Sequence, residues 1–307
     1  MLYLAGPRVL PVLLLIVFPL VAGPYWQKVV LSIAAYGLLA LGWDFFYKAG
    51  LICMGQALFF GVGAYMSGAL NHYWHWSPWL AIPTATVVGA GICTLVLSPV
   101  LRLRGIYFAM VTLVLPLMLV RLIEATRIFG GTDGITGISS LPNSYVETYG
   151  ILFVAVGTLF GFRRVMSMDY GLVLRAVNDN DRAVIRAGHN IYWLKAQALF
   201  IGGCAGTFAG AYLTHAYMFV GMPAFALDYS ILPIAAAVVG GPGTLAGPAI
   251  GALVLVPLSE LLRALGALRI VAYGLFLVVF AVAVPEGLFS FLVRKYHQFE
   301  RWIEVDS

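Results

Sequence analysis

Few side chains in this sequence are equipped for chemistry, and most of them sit in one run. From Arg163 to Lys195 the chain reads RRVMSMDYGLVLRAVNDNDRAVIRAGHNIYWLK. Arg163, Arg164, Arg175, Arg182, Arg186 and Lys195 are interleaved there with Asp169, Asp179 and Asp181. Interleaved charge of this kind suits a surface that another macromolecule reads by complementarity. Elsewhere acids are scarce. Asp44, Asp228 and Glu260 fall near the ends of apolar runs, where they could couple transport to an ion or sit at an interface. His72 and His75 lie in NHYWHWSPW without a carboxylate or third ligand nearby, so they read as part of a Trp- and Tyr-rich membrane interface. His215 reads as a packed or interfacial residue. Cys53, Cys93 and Cys204 sit in apolar segments without CxxC spacing and read as small buried hydrophobes. The sequence contains no G-x-x-x-x-G-K-[ST], no HExxH and no G-x-S-x-G, which excludes P-loop ATP binding and argues against an intramembrane enzyme.

The elements that must position these residues are transmembrane helices. Hydrophobic residues make up 62% of the 307 and charged residues only 10%, against about 25% charged in soluble domains. Apolar runs near the ~20 residues needed to cross a bilayer recur along the whole length. The fold class expected is all-α: a polytopic transmembrane helical bundle of about ten spans. They run roughly over 8–23, 29–46, 51–70, 78–101, 106–128, 151–162, 191–217, 228–239, 245–262 and 270–284. Met1 to Gly23 resembles a signal peptide but has no A-x-A site, and reads as a retained first span. Residues 1–307 form one domain in this reading, with 163–195 a cytoplasmic loop holding one short helix and a polar tail at the end. The net charge of +5 does not point to nucleic acid; in a membrane protein Lys and Arg mark the cytoplasmic side. An N-in, C-in arrangement puts Arg8, Lys48, Arg102, Arg104, the six basic residues of the charged run, Arg294, Lys295 and Arg301 inside. It leaves Lys28, Arg121, Arg127, Arg263 and Arg269 outside.

Small residues let helix backbones approach closely in lipid. Gly202, Gly206 and Gly210 repeat at every fourth position, as do Gly243, Gly247 and Gly251, and both sets read as packing ridges. Pro116 interrupts the fifth span, either as a simple bend or as a break that exposes backbone groups to a substrate. The polar, Gly-rich stretch 129–150 lacks Lys and Arg and fits an exposed extracytoplasmic loop.

Six stretches in order along the chain carry a family resemblance: GQALFFGVGAY, LRLRGIYFAMVTL, FGGTDGITGI, YGLVLRAVNDNDRAVIRAGHN, DYSILPIAAAVVGGPGTLAGPAIGALVLVPLSELLR and VPEGLF. The chain resembles the permease subunit of bacterial ABC importers for branched-chain amino acids, of the LivM type. The resemblance implies a transport subunit of the bacterial inner membrane, without enzyme activity, working by alternating access among membrane lipid. It implies a homologous second permease, two cytoplasmic ATPase subunits that bind ATP and Mg, and an extracytoplasmic substrate-binding protein; no cofactor is expected in this chain. It makes Arg175, Asn178, Asp179, Asp181, Arg182, Arg186 and Gly188 the ATPase-coupling residues. The family pattern is more acidic where this chain has NDND. Phe59, Phe60, Tyr65, Tyr107, Thr112 and Pro116 are the residues expected along a substrate path. Other substrates of such systems, such as urea, amides or organic acids, and an ion-coupled secondary carrier, are the alternatives.

Overall fold

The computed structural model of the chain describes residues 23–103, 105–262, 268–284 and 287–300. Twelve α-helices are present among the described residues. The first five are α1 (Pro24–Lys48), α2 (Gln56–Trp74), α3 (Pro78–Leu97), α4 (Ile106–Thr126) and α5 (Ser144–Met166). The short α6 (Asp169–Asp179) and α7 (Asp181–Arg186) follow. The last five are α8 (Ile191–Tyr217), α9 (Asp228–Gly240), α10 (Ala246–Leu261), α11 (Leu268–Ala283) and α12 (Leu288–Glu300). Six segments are long and apolar enough to cross a membrane: α1, α3, α4, α5, α8, and Met222–Gly240, which joins a 3-10 turn to α9. The protein is an all-α polytopic membrane protein. All of the expected first span except Gly23 lies outside the described residues, as do the last seven residues.

Inside a bilayer an apolar side chain gains nothing by leaving lipid for another helix, so close packing must hold the bundle. Helix α8 shows how. A Cβ on Gly202 would strike the Phe46 ring and the Gly42 carbonyl of α1, and one on Gly42 would lie 2.6 Å from the Gly202 carbonyl. One on Gly206 would meet Phe59, and one on Gly210 would collide with the Phe60 carbonyl, both on α2. Helix α8 thus takes α1 and α2 at backbone distance. In the second ridge, Gly247 and Gly251 face the Gly240 and Ala236 carbonyls of α9. Gly243 departs from the expected ridge. It lies outside the helix, at φ +79°, in the turn between α9 and α10. What that position requires is a positive φ.

That turn is held from α1. Asp44 is fully buried, and its carboxylate accepts the backbone N–H of Gly243 and, at 2.9 Å, that of Leu245. Asp44 was expected at an interface or in ion coupling; it instead is buried and caps the turn between α9 and α10.

Three further elements differ from expectation. Helix α5 runs 23 residues, not the short stretch 151–162, because Ser144–Gly150 and Arg163–Met166 stay helical. Arg163 and Arg164 in its last turn suit the negative end of the helix dipole. Glu147 in its first turn meets Lys28 of α1 at 2.8 Å. The charged run carries two helices, α6 and α7, not one. The loop at 129–150 is partly folded in. Ile135, Ile138 and Leu141 are buried, and Ile135–Thr136 pairs antiparallel with Phe219–Val220.

Candidate functional site

Helices α6 and α7 form a platform at one end of the bundle. Helix α6 buries Gly171, Leu174 and Val177 and exposes Leu172, Arg175 and Asp179. Gly171 lies so close to the Met166 backbone that a Cβ would clash, which folds α6 back on the end of α5. Val177, Val184 and Ile191 form a small apolar cluster that fastens α6 and α7 to the start of α8. Between the two short helices the chain must turn. Asn180 makes the turn, its side-chain oxygen accepting the N–H groups of Arg182 at 3.1 Å and Ala183 at 3.3 Å. An Asn in this role satisfies donors that a helix start leaves open.

With Val184 turned inward, α7 presents Arg182, Ile185 and Arg186 to solvent. Gly188 follows at φ +87°, ending the platform before α8 begins. Arg175 donates to the Met166 carbonyl at 3.5 Å, a long contact that leaves most of its guanidinium available. Asp181 pairs with Lys195 of α8 at 3.6 Å, and the Lys195 side chain is only 8% exposed. The basic side chains concentrate at this end. The ends of α1 and α5 bring Lys48, Arg163 and Arg164 there. The 3-10 turn after α3 adds Arg102. Gly287 touches Gly241, so α12 with Arg294 and Lys295 begins at the same end. The opposite end of the described residues has Lys28, Arg121 and Arg127.

Beneath the platform lies a cavity of about 500 Å³. Its walls are the turn after α1 (Gly50 to Ile52), the entry to α4 (Leu103, Gly105, Phe108), and the stretch from Val177 to Arg182, with Lys195 at the back. Asn178, Asp179, Asp181 and Arg182 therefore stand between a solvent-facing surface and this cavity.

Residues 26–284 match the family model described as "Branched-chain amino acid transport system / permease component". The chain belongs to this family. Two similar relatives are the high-affinity branched-chain amino acid transport system permease proteins LivM of Salmonella typhimurium and of Escherichia coli. Each is 27% identical over 271 residues, covering 78% of this chain and 64% of the relative. The chain thus spans somewhat under two thirds of the length of those two relatives. A probable branched-chain amino acid transport permease protein LivM of Methanocaldococcus jannaschii is 26% identical over 227 residues, covering 67% of this chain and 66% of the relative. No solved structure matches. The family is described as a permease component, and these relatives are named permease proteins.

None of the six residues expected along a substrate path lines the cavity beneath the platform. Phe59 is buried against Phe46, with ring centroids 5.4 Å apart. Phe60 stacks on Tyr229 at 3.9 Å, and Tyr65 on Phe225 at 5.5 Å. Tyr107 is exposed. Pro116 lacks the N–H that would bond the Thr112 carbonyl, and Gly55 of the segment entering α2 packs against that carbonyl. The Thr112 hydroxyl accepts the Met54 N–H at 3.1 Å and donates to the Ala109 carbonyl at 2.9 Å. Thr112 and Pro116 together join α4 to the start of α2.

The opposite end is stitched by polar side chains. His215 is fully buried between Ser67 Oγ, 2.9 Å from Nε2, and the Ser139 carbonyl, 2.8 Å from Nδ1. The carbonyl can only accept, so Nδ1 carries the proton and Nε2 accepts from Ser67. Asn71 accepts the Ser139 N–H at 2.8 Å and donates to the Trp76 carbonyl at 2.7 Å. Asn180 and Lys195 were missing from the expected site. Asn180 had a local signal, an Asn just before a helix start. The Asp181–Lys195 pair had none, because only the turn between α7 and α8 brings the two residues together.

Proposed function

We propose that this chain is one permease subunit of an ATP-driven importer that moves branched-chain amino acids inward by alternating access. The observation that carries the reading is the α6–α7 platform: a rigidly anchored, solvent-facing surface with Arg182, Ile185 and Arg186 on one side. A surface that must transmit force needs rigid attachment to the bundle, and exposed Arg beside an exposed apolar side chain suits a protein partner. The partner here is one of two cytoplasmic ATPase subunits, which hold ATP and Mg. A homologous second permease and an extracytoplasmic substrate-binding protein complete the complex. The basic end of the bundle faces the cytoplasm, with about ten spans and both termini inside, in a bacterial inner membrane. Asp44 and Glu260 give no support to an ion-coupled carrier. The first is engaged by two backbone N–H groups and the second accepts the Tyr25 hydroxyl at 2.9 Å.

The test is a pull-down of the tagged chain in mild detergent, wild type against Arg182→Glu with Arg186→Glu. The wild type should bring down an ATP-hydrolysing subunit and the double variant should not. A wild type that brings down no ATPase in several detergents would overturn the reading.

A further inference from the structure

We propose that a groove between α3 and α8 seats an anionic phospholipid of the surrounding membrane, its headgroup at the platform end of the bundle and one acyl chain running toward the bilayer centre. The site rests on the chain crossing a membrane and not on the import function.

The groove holds about 560 Å³, within the ~300–1,000 Å³ of small-ligand sites. Its two ends differ. At the platform end, where α3 finishes and α8 begins, the lining is Ser98, Tyr170, Trp193 and Gln197. Deeper in the membrane it is Gly91, Leu95, Phe200 and Ile201. From Trp193 to Ile201 α8 rises ~12 Å at ~1.5 Å per residue, most of one leaflet of a ~30 Å hydrocarbon core. A polar end at interface depth above an apolar slot matches the order of parts in a phospholipid: headgroup and ester oxygens, then chain. Tyr and Trp suit that depth because one part of each ring system is apolar and another is polar. The Tyr170 hydroxyl is shut inside the wall without a hydrogen-bond partner among the described residues. An unpaired buried donor is costly. A lipid ester oxygen, met by a small turn of the ring, is the acceptor it lacks.

Charge selects the headgroup. The groove lining itself carries no charged residue. Arg102 ends the 3-10 turn that starts next to Ser98, and Arg164 lies in the last turn of α5, from which the chain passes to Tyr170. Both arginines are exposed. Against them stands Asp169, next to Tyr170, so the flank keeps a net positive charge. Basic side chains at the mouth of a cleft between spans favour an anionic headgroup over a zwitterionic one.

A partner's transmembrane helix fits this groove less well than a lipid chain. Close helix contacts need small residues facing the partner, as Gly202 and Gly210 do within the bundle. Here Leu95 and Trp193 stand exposed on the two walls and hold a helix backbone off, while a single acyl chain passes between them. Gly91 leaves room at the deep end, since a Cβ there would meet nothing within 4 Å. The seated lipid would touch α3, α8 and α6 at once.

The experiment is native mass spectrometry of the purified full chain in mild detergent, titrated with phosphatidylglycerol or with phosphatidylethanolamine of the same acyl chains. Phosphatidylglycerol should bind saturably, about fivefold or more tighter than phosphatidylethanolamine. Gly91→Phe, which fills the deep end from open space, should weaken phosphatidylglycerol binding at least tenfold. Val114→Trp, on the exposed apolar face of α4, should leave it unchanged. Arg102→Gln with Arg164→Gln should remove most of the preference between the two lipids without abolishing binding. If Gly91→Phe fails to fold, Ala196→Trp fills the groove from the other wall and should give the same loss. The proposal is overturned by absent saturable binding, by equal affinity of the wild type for the two lipids, by a preference that survives the arginine changes, or by wild-type affinity in the folded groove-filling variant. It is also overturned if a second copy of the chain or another membrane protein is held by the wild type, lost in Gly91→Phe, and not displaced by lipid.

Discussion

The Asp44 carboxylate holds the backbone N–H of Leu245 at 2.9 Å, although the two residues are 201 positions apart in the chain. Leu245 has φ +61°, an uncommon conformation for a residue with a branched side chain. The bond therefore clamps a strained turn between α9 and α10 from the end of α1. Asp44→Ala would leave the buried Leu245 donor and the part-buried Gly243 donor without an acceptor, a loss of ~1–3 kcal/mol for the buried one. A lower detergent Tm is expected for Asp44→Ala, with Asp44→Asn intermediate because one acceptor oxygen remains. The ion dependence of transport should be the same in Asp44→Asn as in wild type.

Gly210→Ala should destabilise the bundle by about 1–3 kcal/mol, since the new methyl would meet the Phe60 carbonyl and α2 would have to move. Gly157, exposed in the middle of α5 with open space around it, is the control. Gly157→Ala should be neutral or stabilising by up to ~1 kcal/mol, since Ala favours the helix. Thermal unfolding of the two variants side by side checks both signs.

Asn180→Ala removes the acceptor at the start of α7, worth about 1 kcal/mol. This energy holds the platform, not the bundle. The global Tm should move little, while hydrogen exchange at Arg182 and Ala183 quickens and recovery of the ATPase subunit falls. Asn180→Asp should keep the cap and the recovery.

Thr112→Val keeps the side-chain shape and removes the acceptor for Met54 N–H. If Thr112 joins α4 to α2, the variant loses ~1 kcal/mol of stability with apparent substrate affinity unchanged. A large change in transport affinity at unchanged Tm would instead return Thr112 to the substrate path.

The Lys28–Glu147 pair, at 2.8 Å, has side chains 43% and 10% exposed. The half-exposed lysine is partly screened by water, so the double-mutant-cycle coupling of Lys28→Gln and Glu147→Gln should be about 1 kcal/mol or less and shrink with salt. Lys28→Gln alone should be the more harmful single change, because it leaves the better-buried carboxylate without its cation.

What was legible in the sequence was what local pattern determines. Residues 191–217 are one helix as expected, because Asn190 and Met218 bound a continuous apolar run. The α8 glycines fall on one face by spacing alone. Helix α5 was cut short because hydrophobicity stops at Arg163, whereas a helix backbone continues into the polar interface when charge suits its dipole. Asp44 was misplaced because its partners are backbone groups about 200 residues away, which no local spacing encodes. Gly243 fitted the four-residue period by coincidence of a turn. The cavity beneath the platform joins 50–52, 103–108, 177–182 and 195, and only the folded chain brings these together.

Helix α8 also sets a timetable for biogenesis. The α8 glycines pack against Gly42 of α1 and against Phe59 and the Phe60 carbonyl of α2, and Ser67 waits for His215, 148 residues later. At ribosomal rates of ~5–20 residues per second that interval is on the order of 10 s. During it the early helices sit in the membrane with their mating surfaces open to lipid, to insertion machinery and to membrane proteases. A nascent chain arrested before residue 190 should therefore be degraded readily, and one extended past residue 217 should be protected.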